Sequence, residues 1–200
     1  IGDIPIYVAP DSADVWVYTD LFDLDDDLNP KTVAGCPPDA FSETGQLWGN
    51  PVYNWQRHKA TDYNWWVDRL GASIRFFDIV RIDHFRGFDE YYAIPAQDKT
   101  AENGEWKKAP GTEFFDFLKN KFDTLPIIAE DLGFLTPSVH KMLDRTGFPG
   151  MKVLEFAFDP DEPSTYLPHN FDKNCVAYAG THDNDTIVGW KNSLDKRTLD

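Results

Sequence analysis

The segment that decides the fold is "DIVRIDHF" (residues 78–85), in which a short apolar run is followed at once by charged side chains. The part "IVRID" (79–83) has the β-branched composition of a strand. An Arg and an Asp at the end of a buried strand are unfavourable unless they pair or take part in a reaction. The segment therefore predicts a strand whose carboxyl end carries functional side chains.

Two later segments repeat this form, "IIAED" (127–131) and "VAYAGTHDND" (176–185). The three segments place Asp83, Glu130 and Asp183 after three predicted strands. Any one of these carboxylates by itself could be a helix N-cap or a surface charge. Three at the ends of neighbouring parallel strands would converge at one edge, where barrel enzymes carry their active sites.

The alternation of strands and helices predicts an α/β fold with parallel strands. Five strands are expected, at 4–8, 79–83, 126–130, 151–158 and 175–180. A doubly wound sheet and a (β/α)₈ TIM barrel both fit this rhythm, and charged residues at several strand ends favour the barrel. Five strands do not close a barrel of eight. Residues 1–200 are therefore predicted to form part of a barrel, with an inserted loop or subdomain at about 9–60 and no separate second domain.

The composition limits the classes of partner. The chain is 42% hydrophobic and 15% aromatic and carries a net charge of −15, which predicts a globular protein. That charge disfavours nucleic acid and anionic membranes and is compatible with a neutral polar ligand. Two cysteines, no signal peptide and no long apolar run favour a cytoplasmic protein. His58 has no evident partner in the sequence and is expected at the surface or in a loop.

The carboxylates suit glycoside chemistry. In a retaining mechanism one carboxylate attacks the anomeric carbon and another protonates the leaving oxygen. Arg81 lies two residues before Asp83, on the same face of the strand, and would hold Asp83 ionised. Crowding by Asp83 and Asp131 would raise the pKa of Glu130, and a third carboxylate would stabilise the oxocarbenium-like transition state.

The motifs "RIDHFRGF" (81–88), "IIAEDLG" (127–133) and "GTHDNDT" (180–186), in this order and spacing, resemble the amylomaltases, or 4-α-glucanotransferases, of glycoside hydrolase family 77. The segments "GDIPIYVAPDSADVW" (2–16) and "GCPPDAFSETGQLWGNPVYNW" (35–55) resemble the same family. The resemblance covers essentially the whole chain. It implies a (β/α)₈ barrel with inserted subdomains and no cofactor.

The resemblance also implies roles for matching residues. Asp83 would be the nucleophile, Glu130 the general acid and then base, and Asp183 the residue that stabilises the transition state by binding sugar hydroxyls. Arg81 would orient Asp83. The further substrate-binding candidates are His84 and His182 on the same glucose, Phe41, Gln46, Trp48 and Asn50 in a flexible loop over the cleft, Asp131, and Asp11, for which a structural role is the alternative.

The expected activity is cleavage of an α-1,4 bond in a glucan donor and transfer of the fragment to the 4-hydroxyl of glucose or a malto-oligosaccharide acceptor. Two alternatives remain open from the sequence. One is an α-amylase-type hydrolase with the same three carboxylates, and the other is a glucan-binding module without turnover. The long loop 35–55 favours transfer, because it could hold an acceptor and exclude water.

Overall fold

The structure is a computed structural model that describes residues 1–39, 42–133, 135–158, 164–195 and 198. Phe41 lies outside these residues. The described strands are β1 (Gly2–Ile4), β2 (Thr32–Cys36), β3 (Gln46–Pro51), β4 (Val80–Ile82), β5 (Glu90–Pro95), β6 (Glu105–Lys108), β7 (Ile127–Ala129), β8 (Gly150–Val153) and β9 (Cys175–Tyr178). The described α-helices are α1 (Ala13–Val17), α2 (Trp55–Ala60), α3 (Asn64–Phe76), α4 (Thr112–Lys119), α5 (Pro137–Thr146) and α6 (Ile187–Ser193).

Five of these strands are parallel, at or next to the five predicted positions. β1, β4 and β7 form one sheet in that order, and β8 pairs with β9. The amide of Ala129 donates to the carbonyl of Pro149 at 2.9 Å, which holds the start of β8 beside β7. The first strand is shorter than the predicted 4–8 and ends before Pro5, which has no amide to continue a ladder. The predicted strand 151–158 ends at Val153 and continues as a 3₁₀ turn, Leu154–Ala157.

An antiparallel sheet of order β3-β2-β5-β6 is formed by segments that alternate with the parallel strands along the chain. The sequence prediction treated the region at about 9–60 as an inserted loop or subdomain, and the structure forms β2 and β3 within it. These strands pair with β5, which follows β4. Local pattern does not show this sheet, because β3 contains Gly49 and Pro51 and β6 is polar.

Aromatic side chains fill the space between the helices and the strand ends. Trp66 of α3 and Phe114 of α4 are fully buried against Phe88, whose ring stacks on that of Phe114 at 5.2 Å. Full burial of each such side chain stabilises the fold by about 1.5–3 kcal/mol. This core fixes the segment that directly follows Asp83.

The helix predicted at 61–78 begins at Asn64, after a turn that separates it from α2. Asp62 and Tyr63 both have positive φ, 52° and 50°, so the chain changes direction between the two helices. This turn allows α2 to pack inward and buries His58 completely, with its ring 5.1 Å from that of Tyr53. The expectation that His58 is a surface or loop residue is therefore wrong.

The helix after β7 follows its local signals closely. Pro137 occupies the first turn of α5, and Gly147 ends the helix with φ 69°. No helix among the described residues has both the length and the apolar composition that crossing a bilayer requires.

Candidate functional site

The ends of β1, β4 and β7 bring Asp83 and Glu130 to one edge of the parallel sheet. The amide of Asp83 donates to the carbonyl of Ile4, and the amide of Glu130 donates to that of Ile82, both at 3.0 Å. These bonds extend the parallel ladders by one residue beyond the strands. The backbone therefore fixes both carboxylate-bearing residues at the carboxyl ends of adjacent strands.

Arg81 binds Asp83, as the spacing predicted. Its Nη2 donates to Asp83 Oδ1 at 2.7 Å, and its side chain is 10% exposed. Its Nη1 also donates to both carboxylate oxygens of Asp3, at 2.8 and 2.9 Å. Asp3 was not predicted from the sequence, although a charged residue between Gly2 and Ile4 of an apolar strand was a signal. The parallel register places Asp3 opposite Arg81.

Glu130 has the properties of a proton carrier at neutral pH. Burial is the main cause that raises its pKa to about 7, and the charge of Asp83 acts in the same direction, against the opposing effect of Arg81. Its carboxylate accepts the amides of Leu132 at 2.7 Å and His84 at 2.8 Å, and both bonds lower the pKa. Burial is thus the leading cause, and the predicted crowding contributes through Asp83 as a smaller one.

Asp131 makes its contacts away from Glu130. Its Oδ1 accepts the amide of Met151 at 2.6 Å, and it lines a separate cavity with His140, Lys152 and Tyr166. The expected crowding of Glu130 by Asp131 is therefore replaced by a contact with β8. Burial raises the pKa of Asp131 itself.

His84 joins Asp83 and Glu130 through a strained backbone. Its φ of 50° lies in the left-handed region, and this conformation directs its amide to Glu130 Oε2. Burial lowers the pKa of its imidazole to about 4, with a further lowering from Arg86, so the ring is neutral at pH 7. The ring lies edge-on to Trp48, with centroids 4.8 Å apart.

A cavity of the described surface lies between β3 and the residues Asp83 and His84. Its walls are formed by Pro5, Ile6, Tyr7, Trp48, Asn50, Asp83 and His84. The predicted loop residues Gln46, Trp48 and Asn50 are alternate positions of β3 and so share one face of a strand. Trp48 is 37% exposed and donates from Nε1 to Gln46 Oε1 at 3.0 Å. Asn50 donates to the carbonyl of Val8 at 2.9 Å, which ties β3 to the segment after β1.

Asp183 and His182 lie on the turn between β9 and α6. Asn184 Oδ1 holds this turn by accepting the amide and the hydroxyl of Thr181, at 2.8 and 2.9 Å. His182 Nε2 is 3.5 Å from Asp183 Oδ2 and 4.0 Å from Asp3 Oδ2. His182 thus lies near Asp3, which binds Arg81, while the side chain of Asp183 is 72% exposed.

Asp11 is exposed and precedes Ser12, whose hydroxyl caps α1 by accepting the amide of Val15. The contacts of the described residues do not decide between sugar binding and a structural role for Asp11. Among the described residues there is also no group of three or more His, Cys, Asp or Glu able to hold a metal ion. The chemistry that the cluster offers is that of carboxylates, one held by a guanidinium and one that carries a proton near pH 7.

Comparisons with known proteins agree on one family. The profile of the family described as 4-alpha-glucanotransferase, in the glycoside hydrolase 77 group, matches residues 1–199. The chain is 56% identical over 191 residues to a 4-alpha-glucanotransferase of Clostridium butyricum, in a match that covers 95% of this chain and 39% of that protein. It is 58% identical over 192 residues to one of Synechocystis, covering 94% and 38%. The chain thus spans about two-fifths of the length of the curated relatives it matches.

Solved structures give the same result. An amylomaltase from Streptococcus agalactiae, in complex with acarbose, matches with a TM-score of 0.95 and 48% identity. The match covers 99% of this chain and 40% of that one. The amylomaltase of Corynebacterium glutamicum matches with a TM-score of 0.83 over 96% of this chain and 26% of that one, at 23% identity, which shows the fold alone.

Proposed function

The chain belongs to the 4-alpha-glucanotransferase family, glycoside hydrolase family 77, and from this premise we propose that the full-length protein transfers segments of an α-1,4-glucan by a retaining double displacement. One observation carries the proposal, the difference between its two central carboxylates. Asp83 is bound by Arg81 at 2.7 Å, whereas Glu130 has a pKa raised to about 7. A nucleophile must be ionised and a general acid must hold a proton. The guanidinium bound to Asp83 and the raised pKa of Glu130 suit these two roles.

In the first step an oxygen of Asp83 attacks the anomeric carbon and the glycosidic C–O bond breaks. The proton of Glu130 goes to the leaving 4-oxygen, which frees the acceptor-side fragment. In the second step Glu130, now ionised, takes the proton from the 4-hydroxyl of a new glucan. That oxygen attacks the anomeric carbon and expels Asp83, so the configuration is retained and Glu130 is protonated again.

Other residues of the site would bind the glucan. The neutral imidazole of His84 and the side chain of His182 offer hydrogen bonds to a glucose at the cleaved position. Asp183 would stabilise positive charge in the transition state through its carboxylate and through sugar hydroxyls. The exposed ring of Trp48 would stack on the apolar face of an acceptor glucose, with Gln46 and Asn50 beside it on β3.

The same premise supports a proposal about architecture. The five parallel strands would be consecutive strands of a (β/α)₈ barrel, and residues at about 9–60 would belong to an insertion. The convergence of Asp83 and Glu130 at the carboxyl ends of β4 and β7 supports this, because barrel enzymes carry their sites there. In the longer relatives, the parts that this chain does not match would supply the remaining strands of the barrel.

The test is incubation of the full-length protein with maltotriose, followed by separation of the products. Transfer gives glucose together with a ladder of longer maltodextrins. Shorter sugars alone would mean an α-amylase-type hydrolase, and unchanged maltotriose with retained binding would mean a glucan-binding module. Asp83→Asn should abolish the ladder, while Asp26→Asn, at an exposed position in a turn, is the matched control and should leave it intact.

A further inference from the structure

Glu155 is a buried acid to which the proposed mechanism gives no role. It lies in the 3₁₀ turn directly after β8, between the strand ends that carry Glu130 and Asp183. The residue is 8% exposed, and its Oε1 has no hydrogen-bond partner among the described residues. We propose that Glu155 is a positioning residue that fixes the turn carrying His182 and Asp183 as a bound glucan reaches its transition state. This inference rests on the proposed function.

The burial of Glu155 Oε1 is unfavourable for the free energy of folding, so a contribution to stability does not explain this residue. A carboxylate oxygen removed from water without a donor destabilises the folded state, and an apolar side chain of similar size would not. Groups that destabilise the protein in its ligand-free state cluster at functional sites, where they make a contact in another conformation. The location of Glu155 shows which segment would provide that second arrangement.

Glu155 packs directly against the start of the turn that carries Asp183. Its amide donates to the carbonyl of Ala179 at 3.2 Å, which joins the end of β8 to the end of β9. A Cβ placed on Gly180 would lie 2.9 Å from Glu155 Oε1 and 3.1 Å from its carboxyl carbon. The carboxylate therefore occupies the space that a side chain at Gly180 would need, three residues before Asp183.

Asn184 carries the donor that we assign to this carboxylate. The same point beside Gly180 lies 3.2 Å from Asn184 Cβ, so Glu155 Oε1 and Asn184 Cβ border the same space. The Oδ1 of Asn184 already accepts two bonds from Thr181, which leaves its Nδ2 as the group able to donate. A small movement of the exposed turn toward the sugar would bring Nδ2 to Glu155 Oε1. The bond would hold Asp183 at the reacting glucose.

The experiment compares three changes in the full-length protein with maltotriose as substrate. Glu155→Met removes the acceptor, and Asn184→Asp keeps the Thr181 contacts but replaces the donor with an oxygen that repels Glu155. Each should lower kcat by about tenfold with little change in KM, because the contact acts on the transition state. In the double variant Glu155→Gln, Asn184→Asp the amide and carboxylate are exchanged, and most of the lost kcat should return.

The melting temperature provides a readout that does not depend on activity. Glu155→Met should melt no lower than the wild type, because it removes a buried carboxyl oxygen that lacks a donor. The matched control is Glu105→Met, the same change at an exposed position of β6, which should leave kcat unaltered. A lower melting temperature for Glu155→Met, wild-type kcat in both single variants, or no recovery in the double variant would overturn the inference. Wild-type protein without action on maltotriose would instead refute the proposed function.

Discussion

Replacement of Glu130 by Gln should raise the stability of the protein relative to the wild type as pH increases from 4.5 to about 7, while removing the proposed activity. The neutral amide has nearly the shape of the protonated acid that burial favours. The Glu130→Gln variant would keep one acceptor for the two amides that now bind the carboxylate, those of Leu132 and His84. The protonated acid can still accept weakly at its hydroxyl oxygen, so the variant imitates the charge of the low-pH form but loses one of the two amide bonds at every pH.

The magnitude follows from the pKa of Glu130, which burial raises from 4.5 to about 7. Between these values the unfolded chain has released the proton and the folded chain still binds it. The free energy of unfolding therefore falls as pH rises through this window, by about 3 kcal/mol in total. The amide of the Glu130→Gln variant does not titrate. The free energy of unfolding of the variant minus that of the wild type should therefore be lowest below pH 4.5 and about 3 kcal/mol higher above pH 7.

The assay is denaturant unfolding of both full-length proteins across the range from about pH 4 to about pH 8.5, with Glu43→Gln as the exposed control. Turnover of maltotriose by the wild type should decline on the alkaline side with an apparent pKa near 7, since in the proposed mechanism Glu130 acts as the acid only when it is protonated. A stability difference that is constant with pH, or that shrinks as pH rises, would refute the reasoning. It would mean that Glu130 is ionised in the folded protein at neutral pH.

Three further predictions concern other parts of the chain. The Trp48→Ala variant should melt within a few degrees of the wild type, because the ring is 37% exposed. It should raise the ratio of hydrolysis to transfer measured on maltotriose. Wild-type product ratios would contradict the stacking role. Asp3→Asn should lower kcat by on the order of a hundredfold, because Arg81 would no longer be held in place, and Asp3→Glu should stay partly active. Equal losses in both variants would point to loss of folding, which circular dichroism detects. His58→Phe should make the protein less sensitive to acid, because burial lowers the pKa of His58 from 6.5 to about 4. The wild type should lose about 3 kcal/mol of unfolding free energy as pH falls between these values. Parallel profiles of unfolding free energy against pH for the two proteins would exclude this.

The parallel strands and the later helices were predictable because their signals are local. An apolar β-rich run that ends in charge marks β4 and β7, and Pro137 with Gly147 brackets α5. The contact between Arg81 and Asp83 was predictable for the same reason, because residues two apart on a strand share a face. These features depend on the order of residues within one segment.

The antiparallel sheet was not predictable in this way. β2 pairs with β5 across the whole of α2, α3 and β4, and no local period records which segments meet. Gly49 and Pro51 also weaken the strand pattern of β3. As a result the structure places Trp48 and Asn50 on a strand, where the sequence predicted a loop.

The sequence by itself determined the family, the parallel strands and the carboxylates that directly follow β4 and β7, because each belongs to a continuous motif. Only the tertiary structure decided how these groups are tuned. The register of β1 on β4 brings Asp3 to Arg81, burial raises the pKa of Glu130, and Asp131 turns to Met151. Register and burial depend on segments far apart in the chain, and the dielectric and hydrogen-bond partners that set a pKa exist only when those segments have packed.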